Sequence, residues 1–440
     1  MQETTQTIIS YHERTKHHPH RYAQSLGFLD WDNQPNPFRS YPGAIEVALS
    51  LNGVASKTSY EQMLSRSKIQ PAKLNLESLS KFLEFSLALS AWKSIQHSKW
   101  SLRINPSSGN LHPTEAHLIL PPGVIAKDKA ALCHYNPLKH CLEVRKQAGF
   151  KEIANLSENE GMSFLICLTS IYWREAWKYG ERAFRYCNHD LGHALACLSF
   201  AGSLLGWKVE FEPTHTTSQV EQLFCLEDVD WVEGEKEEVE VLLKVTPHSQ
   251  NHLMESWNCL TFNFKPDSDQ REQVNPLSDE IYPWSVIEEV SEATRKTAAE
   301  LSEVQWFNQA LNWSFDDLNA EQIILQRRSA VAFDGKTFMS KDVFFSMLDR
   351  TLPRVDHTPF DLNLGLQRVN LLLFVHRVTG LEPGLYFLLR NEGHLQELKS
   401  LAHLQLEWIK VDTGCNLPLF RLLPGDLKME ATLLSCRSEE

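Results

Sequence analysis

Four short stretches of this sequence hold residue types that could do chemistry. Arg103 leads into Asn105-Pro106-Ser107-Ser108-Gly109-Asn110-Leu111-His112-Pro113-Thr114-Glu115. Such a loop can simply turn the chain, or it can hold backbone N–H groups and small hydroxyls against a flat, polar-edged ligand. Residues 173–186, WREAWKYGERAFRY, carry Arg174, Lys178, Arg182 and Arg185 beside Glu175 and Glu181. Basic side chains paired with those glutamates on an exposed helix are one reading. The adjacent Lys178 and Tyr179 allow another, because a partly desolvated lysine loses its proton near neutrality and a tyrosine hydroxyl relays or donates one. His189, Asp190 and His193 place two histidines four apart, as helical metal ligands can be, but no third ligand and no His-Glu-x-x-His pattern accompanies them. No metal is therefore expected, and His193 reads as a polar group at a helix start, facing a ligand. Gln326-Arg327-Arg328-Ser329 closes an apolar helical stretch, where two guanidiniums and a hydroxyl can clamp a phosphate.

Several classes lack their signature. There is no Walker A loop, no Gly-x-Gly-x-x-Gly and no Gly-x-Ser-x-Gly. A net charge of −13 disfavours a broad nucleic-acid surface while leaving room for a local basic pocket. The nine cysteines form no Cys-x-x-Cys pair and several sit in apolar contexts, as reduced buried thiols do. The opening MQETTQTIISYHERTK lacks the basic-then-apolar profile of a signal peptide, and no apolar run reaches membrane-spanning length. The expectation is a cytoplasmic protein with no nucleic-acid or membrane partner.

The 440 residues leave room for two domains. Residues 1–60, rich in aromatics, prolines and histidines, suggest an irregular arm packed on the body. Apolar spacing predicts a helix over 79–93, a strand over 116–120, a hairpin over 132–144 turning at Asn136-Pro137, and a buried strand over 164–170. The clearest helix is 189–205, stopped by Gly206. Its small stripe, Gly192, Ala196, Ser199 and Ser203, suits close approach by another helix or by a flat ligand. The acidic run over 226–245 reads as a solvated loop feeding a strand. Residues 246–318 read as a polar connector with one helix-like piece near 285–304. Residues 376–400 repeat the strand–turn–strand plan of 118–144 at an offset of about 250, which suggests a degenerate duplication.

Together the motifs resemble the SagB-type dehydrogenases of the FMN-dependent nitroreductase superfamily, best known as azoline oxidases that tailor ribosomal peptides. The resemblance rests on Arg103-x-Asn-Pro-Ser-Ser-Gly-Asn-Leu-His-Pro-Thr-Glu115, Lys178-Tyr179-Gly-Glu-Arg182-x-x-Arg-Tyr186 and Asp190-x-Gly-His193, and covers about residues 10–245. It implies an α+β fold, a mixed sheet flanked by helices, working as a dimer with FMN at the interface. Pro106, Ser107, Ser108, Gly109 and Asn110 would lie along the isoalloxazine ring, with His112, Arg182 and His193 assigned to the same pocket. Arg103 would offset charge near flavin N1 and O2. Lys178 and Tyr179 match the pair assigned to proton transfer at the substrate.

The family's Arg-Arg-Ser phosphate clamp corresponds in the first copy to the altered Arg14-Thr15-Lys16-His17. Its clearer match is Arg327, Arg328 and Ser329 in the second. The resemblance thus implies an N-terminal arm (1–60), an FMN domain (61–245), a connector (246–318) and a partial second nitroreductase-like domain (319–440). The chain would be a homodimer subunit or a single-chain pseudo-dimer with at most one FMN, acting on a small molecule or a modified peptide. Two other readings are an NAD(P)H-dependent reductase of nitro, quinone or enone groups, and a non-catalytic scaffold of a maturation complex.

Overall fold

The computed structural model describes residues 2–18, 20–66, 68–96, 98–149, 163–247, 264, 271–298, 307, 318–330, 332–365 and 367–435. They divide into two compact units. One comprises Met1–Lys16, Ala23–Glu300 and Asp317–Arg327, the other His17–Tyr22, Leu301–Asp316 and Arg328–Glu440.

The first unit opens with helix α1 (Gln2–Thr15), so the first 60 residues are not irregular throughout. Tyr11 and Thr15, one turn apart on one face, are both buried, and that shared face is what the helix gains by forming. Strand β1 (Ile45–Ala48) follows, then α2 (Tyr60–Ser65) and α3 (Leu76–Glu84). Both helices start on reciprocal capping boxes, Ser59 with Gln62 and Asn75 with Ser78. The helix expected over 79–93 stops at Glu84. Beyond it Leu87, Leu89 and Ala91 alternate, and the run becomes strand β2 (Leu89–Ile95) against β3 (Ser98–Arg103).

The expected strands appear as β4 (Thr114–Leu120), β5 (Lys129–Asn136), β6 (Cys141–Gly149) and β7 (Phe164–Ser170). Then come α4 (Tyr172–Tyr179), α5 (Ala183–Leu204), β8 (Lys208–Phe211), α6 (Thr217–Leu223), β9 (Val229–Asp230), β10 (Glu238–Thr246) and β11 (Glu272–Gln273). Helices α7 (Ser285–Thr294) and α8 (Ala320–Gln326) complete the unit. The large sheet has the order β1-β6-β5-β4-β7-β10-β8 and is antiparallel throughout, while β9 and β11 form a separate parallel pair. Much of the expected connector 246–318 lies outside the described residues.

Helix α5 begins six residues before the expected start. Its small stripe divides in two: Ser203 Oγ donates to the Met63 carbonyl at 2.5 Å, so that end seats α2. At the other end a Cβ on Gly192 would meet nothing within 4 Å.

The second unit contains β12 (Met339–Ser340), α9 (Lys341–Asp349), β13 (Leu371–Val375), β14 (Val378–Thr379), β15 (Gly384–Leu388), α10 (Leu395–Leu401), β16 (Ile409–Lys410), β17 (Leu419–Pro424) and α11 (Lys428–Leu434). Strands β13, β15, β17 and β16 form an antiparallel sheet over a core of Phe345, Leu348, Leu352, Tyr386, Leu388 and Leu419. The strand–turn–strand reading of 376–400 holds only for its first half. Asn391 accepts from the Gly393 amide and starts a helical turn, so 395–401 forms α10, and β15 finds its partner in β17.

Candidate active site

Three motifs far apart in the sequence meet at the loop between β3 and β4. Gly109 (φ 57°), Asn110 (φ 60°) and His112 (φ 53°) are all left-handed, which folds the loop tightly enough to bring it under the end of α4. A Cβ on Gly109 would stand 2.8 Å from the Tyr179 hydroxyl, so glycine is what lets Tyr179 close on the loop. From α5, Asp190 accepts the Ser108 amide at 2.9 and 3.1 Å and the Ser108 hydroxyl at 3.0 Å. Ser107 Oγ accepts the His112 amide at 2.8 Å, and Asn110 Nδ2 donates to the Ser101 carbonyl at 2.8 Å. His193 sets Nδ1 3.2 Å from the Pro106 carbonyl and 3.9 Å from Asp190. The loop is thus fixed by α5 and touched by α4.

Lys178 and Tyr179 are half-buried at the end of α4. The Lys178 ammonium lies 5.4 Å from the Tyr179 ring centre, and Tyr179 stacks on Tyr186 with centroids 4.1 Å apart. Arg182 covers the Tyr186 ring at 5.5 Å and donates to the Thr15 carbonyl. Gly180 (φ 52°) makes the corner between α4 and α5, where a Cβ would overlap the Gln24 carbonyl.

Arg103 is the last residue of β3, at the entry to the loop. It is buried, donates to the carbonyls of Thr114 (3.2 Å) and Pro37 (2.6 Å), and burial brings its pKa down to about 10 despite Glu115 nearby. It ties the loop's flanks to residues 37–38. In the first-copy clamp position Arg14 pairs with Glu181, and Thr15 Oγ accepts from Arg185 Nε at 2.8 Å. Arg327, at the end of α8, is exposed and donates to the Ile104 carbonyl at 3.3 Å, at the head of the loop. Arg328 and Ser329 are exposed and belong to the second unit.

Two features escaped the sequence reading. The first is Glu175, fully buried one turn before Lys178 with no hydrogen-bond donor facing either carboxyl oxygen. Burial, then the neighbouring Asp190 carboxylate, raises its pKa well above the usual range, against the weaker pull of Lys178. Asp190 is itself raised by burial, offset in part by its bonds from the serines. Two carboxyls in such contact are satisfied by sharing a proton, with Glu175 neutral and donating.

The second is a buried ionic cluster on one face of the sheet. His134 on β5 bonds Glu143 (2.8 Å) on one nitrogen and Glu115 (3.1 Å) on the other. Burial lowers the His134 pKa, but the two carboxylates outweigh it and push it up to about 9. Arg174 on α4 donates to Glu115 at 2.5 Å and to the His112 carbonyl at 2.7 Å, linking this cluster to the loop. The acidic run is not merely solvated: Glu235 and Glu237 are fully buried, at 3.5 Å each from Arg39, and His117 bonds Glu237 at 2.7 Å. Alternation puts Glu115 and His117 on one face of β4, and the strand register sets His134 opposite His117.

Among the described residues no three His, Cys, Asp or Glu side chains are grouped as a metal site, and no helix is long and apolar enough to cross a membrane. No family model and no curated protein matches the sequence. Among solved structures, a protein from Anabaena variabilis described as a nitroreductase superposes with a TM-score of 0.62 at 18% identity, over 97% of this chain and 80% of its own. Its likeness establishes a nitroreductase-like α+β fold. Two looser matches have TM-scores of 0.33. A Ralstonia eutropha protein described as a nitroreductase is 13% identical over 52% of this chain and 99% of its own. The Escherichia coli microcin synthetase McbBCD complex with truncated pro-MccB17 bound is 18% identical over 57% of this chain and 95% of that chain.

Proposed function

We propose that this chain is an FMN-dependent oxidoreductase, a SagB-type dehydrogenase that oxidises an azoline-like heterocycle in a peptide. The observation that carries the reading is the meeting of Gly109 with Tyr179 while Asp190 holds Ser108, since it gathers all three motifs of the resemblance at one place. The residues present fit a flavin. Arg103 Nε, Asn105 Oδ1 and Thr114 Oγ1 are buried without hydrogen-bond partners, donors and acceptors of the kind a polar-edged ring would satisfy. Open space beside Gly192 leaves room for a flat one. Of the expected clamp residues, Arg327 is the one proposed for the FMN phosphate, since its guanidinium reaches the head of the loop.

When bound, FMN would supply the hydride acceptor. The chain's own part is to orient the substrate and to take the accompanying proton. Lys178 Nζ, half-buried and beside an aromatic ring, is the proposed base, and the Tyr179 hydroxyl, resting on the loop, orients or relays that proton. The β13–β15–β17 meander of the second unit supports its assignment as a degenerate partial copy.

The test is an anaerobic half-reaction. A thiazoline-bearing peptide bleaches the bound flavin, and Lys178→Ala slows that step by about 100-fold or more. Bleaching by NADPH and not by the peptide would instead make the protein a reductase, and no bleaching by either would leave the scaffold reading.

A further inference from the structure

Arg327 stands at the end of a short helix. With seven residues, α8 is well under the roughly 12–15 that an isolated helix needs to persist in water, so its place is set by what anchors it. The anchors gather at its first turn. Glu321 is fully buried, accepts the Ala55 and Ser56 amides at 2.7 and 2.8 Å, and pairs with Lys81 Nζ at 2.5 Å. Asn319 Nδ2 donates to the Ser56 carbonyl at 2.7 Å, the Ala320 amide to the Thr58 carbonyl at 3.0 Å, and the Tyr60 amide to the Leu318 carbonyl at 2.8 Å. Residues 318–321 are thus clasped to residues 55–60 and to α3.

The same α3 also fixes the backbone that Arg327 reaches. Lys81 lies in its last turn, and just beyond its end the Ala88 carbonyl accepts the Ile104 amide at 2.9 Å. The Ile104 carbonyl in turn accepts from Arg327 at 3.3 Å. A closed circuit results, from α3 through Ala88 and Ile104 to Arg327, and back along α8 through Glu321 to Lys81. Arg327 also lies near enough to Cys197 on α5 for its charge to oppose the rise that burial gives that thiol.

A buried carboxylate–ammonium pair adds little stability over an apolar contact, because desolvation offsets much of its attraction. What such a pair supplies here is one fixed geometry. Glu321 and Arg327 are separated by about 9 Å of helical rise, so a tilt at the first turn is carried to the guanidinium. We propose that Glu321 is a positioning residue for the cofactor: with Lys81 it seats α8 on α3, which keeps Arg327 at the head of the β3–β4 loop, where it meets the FMN phosphate. The inference rests on the flavin reading and adds to it the element that aims the phosphate contact.

Titration of the flavin-free full chain with FMN and with riboflavin, which lacks the phosphate, tests it. Glu321→Gln removes the charge that holds Lys81. It is expected to weaken FMN about tenfold, as Arg327→Ala does, while riboflavin stays within about twofold of the parent. In the Arg327→Ala background it should cost no further FMN affinity, because both changes act through one contact. Lys81→Met breaks the same pair from the less buried side and should behave alike, whereas Lys81→Arg keeps the charge and should bind FMN as the parent does. Unchanged FMN binding in Glu321→Gln and Lys81→Met, equal weakening of FMN and riboflavin, or losses that add to that of Arg327→Ala would each overturn the proposal. So would a parent that binds riboflavin as tightly as FMN. A parent that takes up neither would instead contradict the flavin reading itself, and this inference with it.

Discussion

Glu175 shows how much a single buried group can say. A carboxylate with no donor around it is costly to bury, whereas a neutral carboxyl donating to Asp190 is not. Asp190 in turn holds Ser108, so the proton on Glu175 helps fix the loop that faces Tyr179. Because the folded pKa is raised above the unfolded value of about 4.5, the stability tied to that proton is full below 4.5 and declines as pH rises towards the folded pKa. Glu175→Gln keeps the shape, donates to Asp190 and has no proton to lose. Its stability relative to the parent should therefore improve with pH, by up to about 1.4 kcal/mol per pH unit, in urea denaturation from pH 5 to about 8. A stability difference that stays flat across that range would mean Glu175 is ionised. Nothing in the sequence marked this pair: Glu175 and Asp190 are fifteen residues apart, and only the corner at Gly180 folds one against the other.

Elements divide into those that local chemistry announces and those that partners decide. The β5–β6 hairpin, β7 and the end of α5 were legible because Asn136-Pro137, an unbroken apolar run and Gly206 act within a few residues of themselves. The helix read over 79–93 was not, because an apolar run of that length satisfies both periods until β3 pairs with its second half. The acidic run was misread for a similar reason: its buried glutamates find Arg39, 196 residues earlier in the chain.

The same distinction governs two substitutions. Gly109→Ala meets both a left-handed backbone and the Tyr179 hydroxyl, so it should cost about 1–2 kcal/mol and push Tyr179 off the loop. Altered Tyr179 fluorescence quenching or a shifted aromatic NMR resonance would report that displacement, and an unchanged one would contradict it. His134→Gln leaves Glu115 and Glu143 without their shared cation and should cost about 3–5 kcal/mol at pH 6. The raised folded pKa of His134 gives the parent a stability that is full below about 6.5 and lost as pH rises through about 9. The variant should lack that alkaline decline when the two are unfolded side by side in denaturant.

At the scale of the molecule, two units each carry a sheet and a core, and every residue brought together around the β3–β4 loop belongs to the first. Arg327 ends that unit and Arg328 begins the next, so the expected Arg-Arg-Ser clamp straddles their boundary in sequence. The residues proposed for the flavin, Arg327 included, lie in the first unit, so the proposal carries one flavin per chain. The most direct measurement is the absorption spectrum of the desalted protein, with released FMN quantified and Arg327→Ala and Asp190→Ala compared. About one equivalent of FMN per chain is expected, with roughly tenfold weaker binding in either variant. A colourless protein that also fails to take up added FMN would contradict the flavin reading at its root.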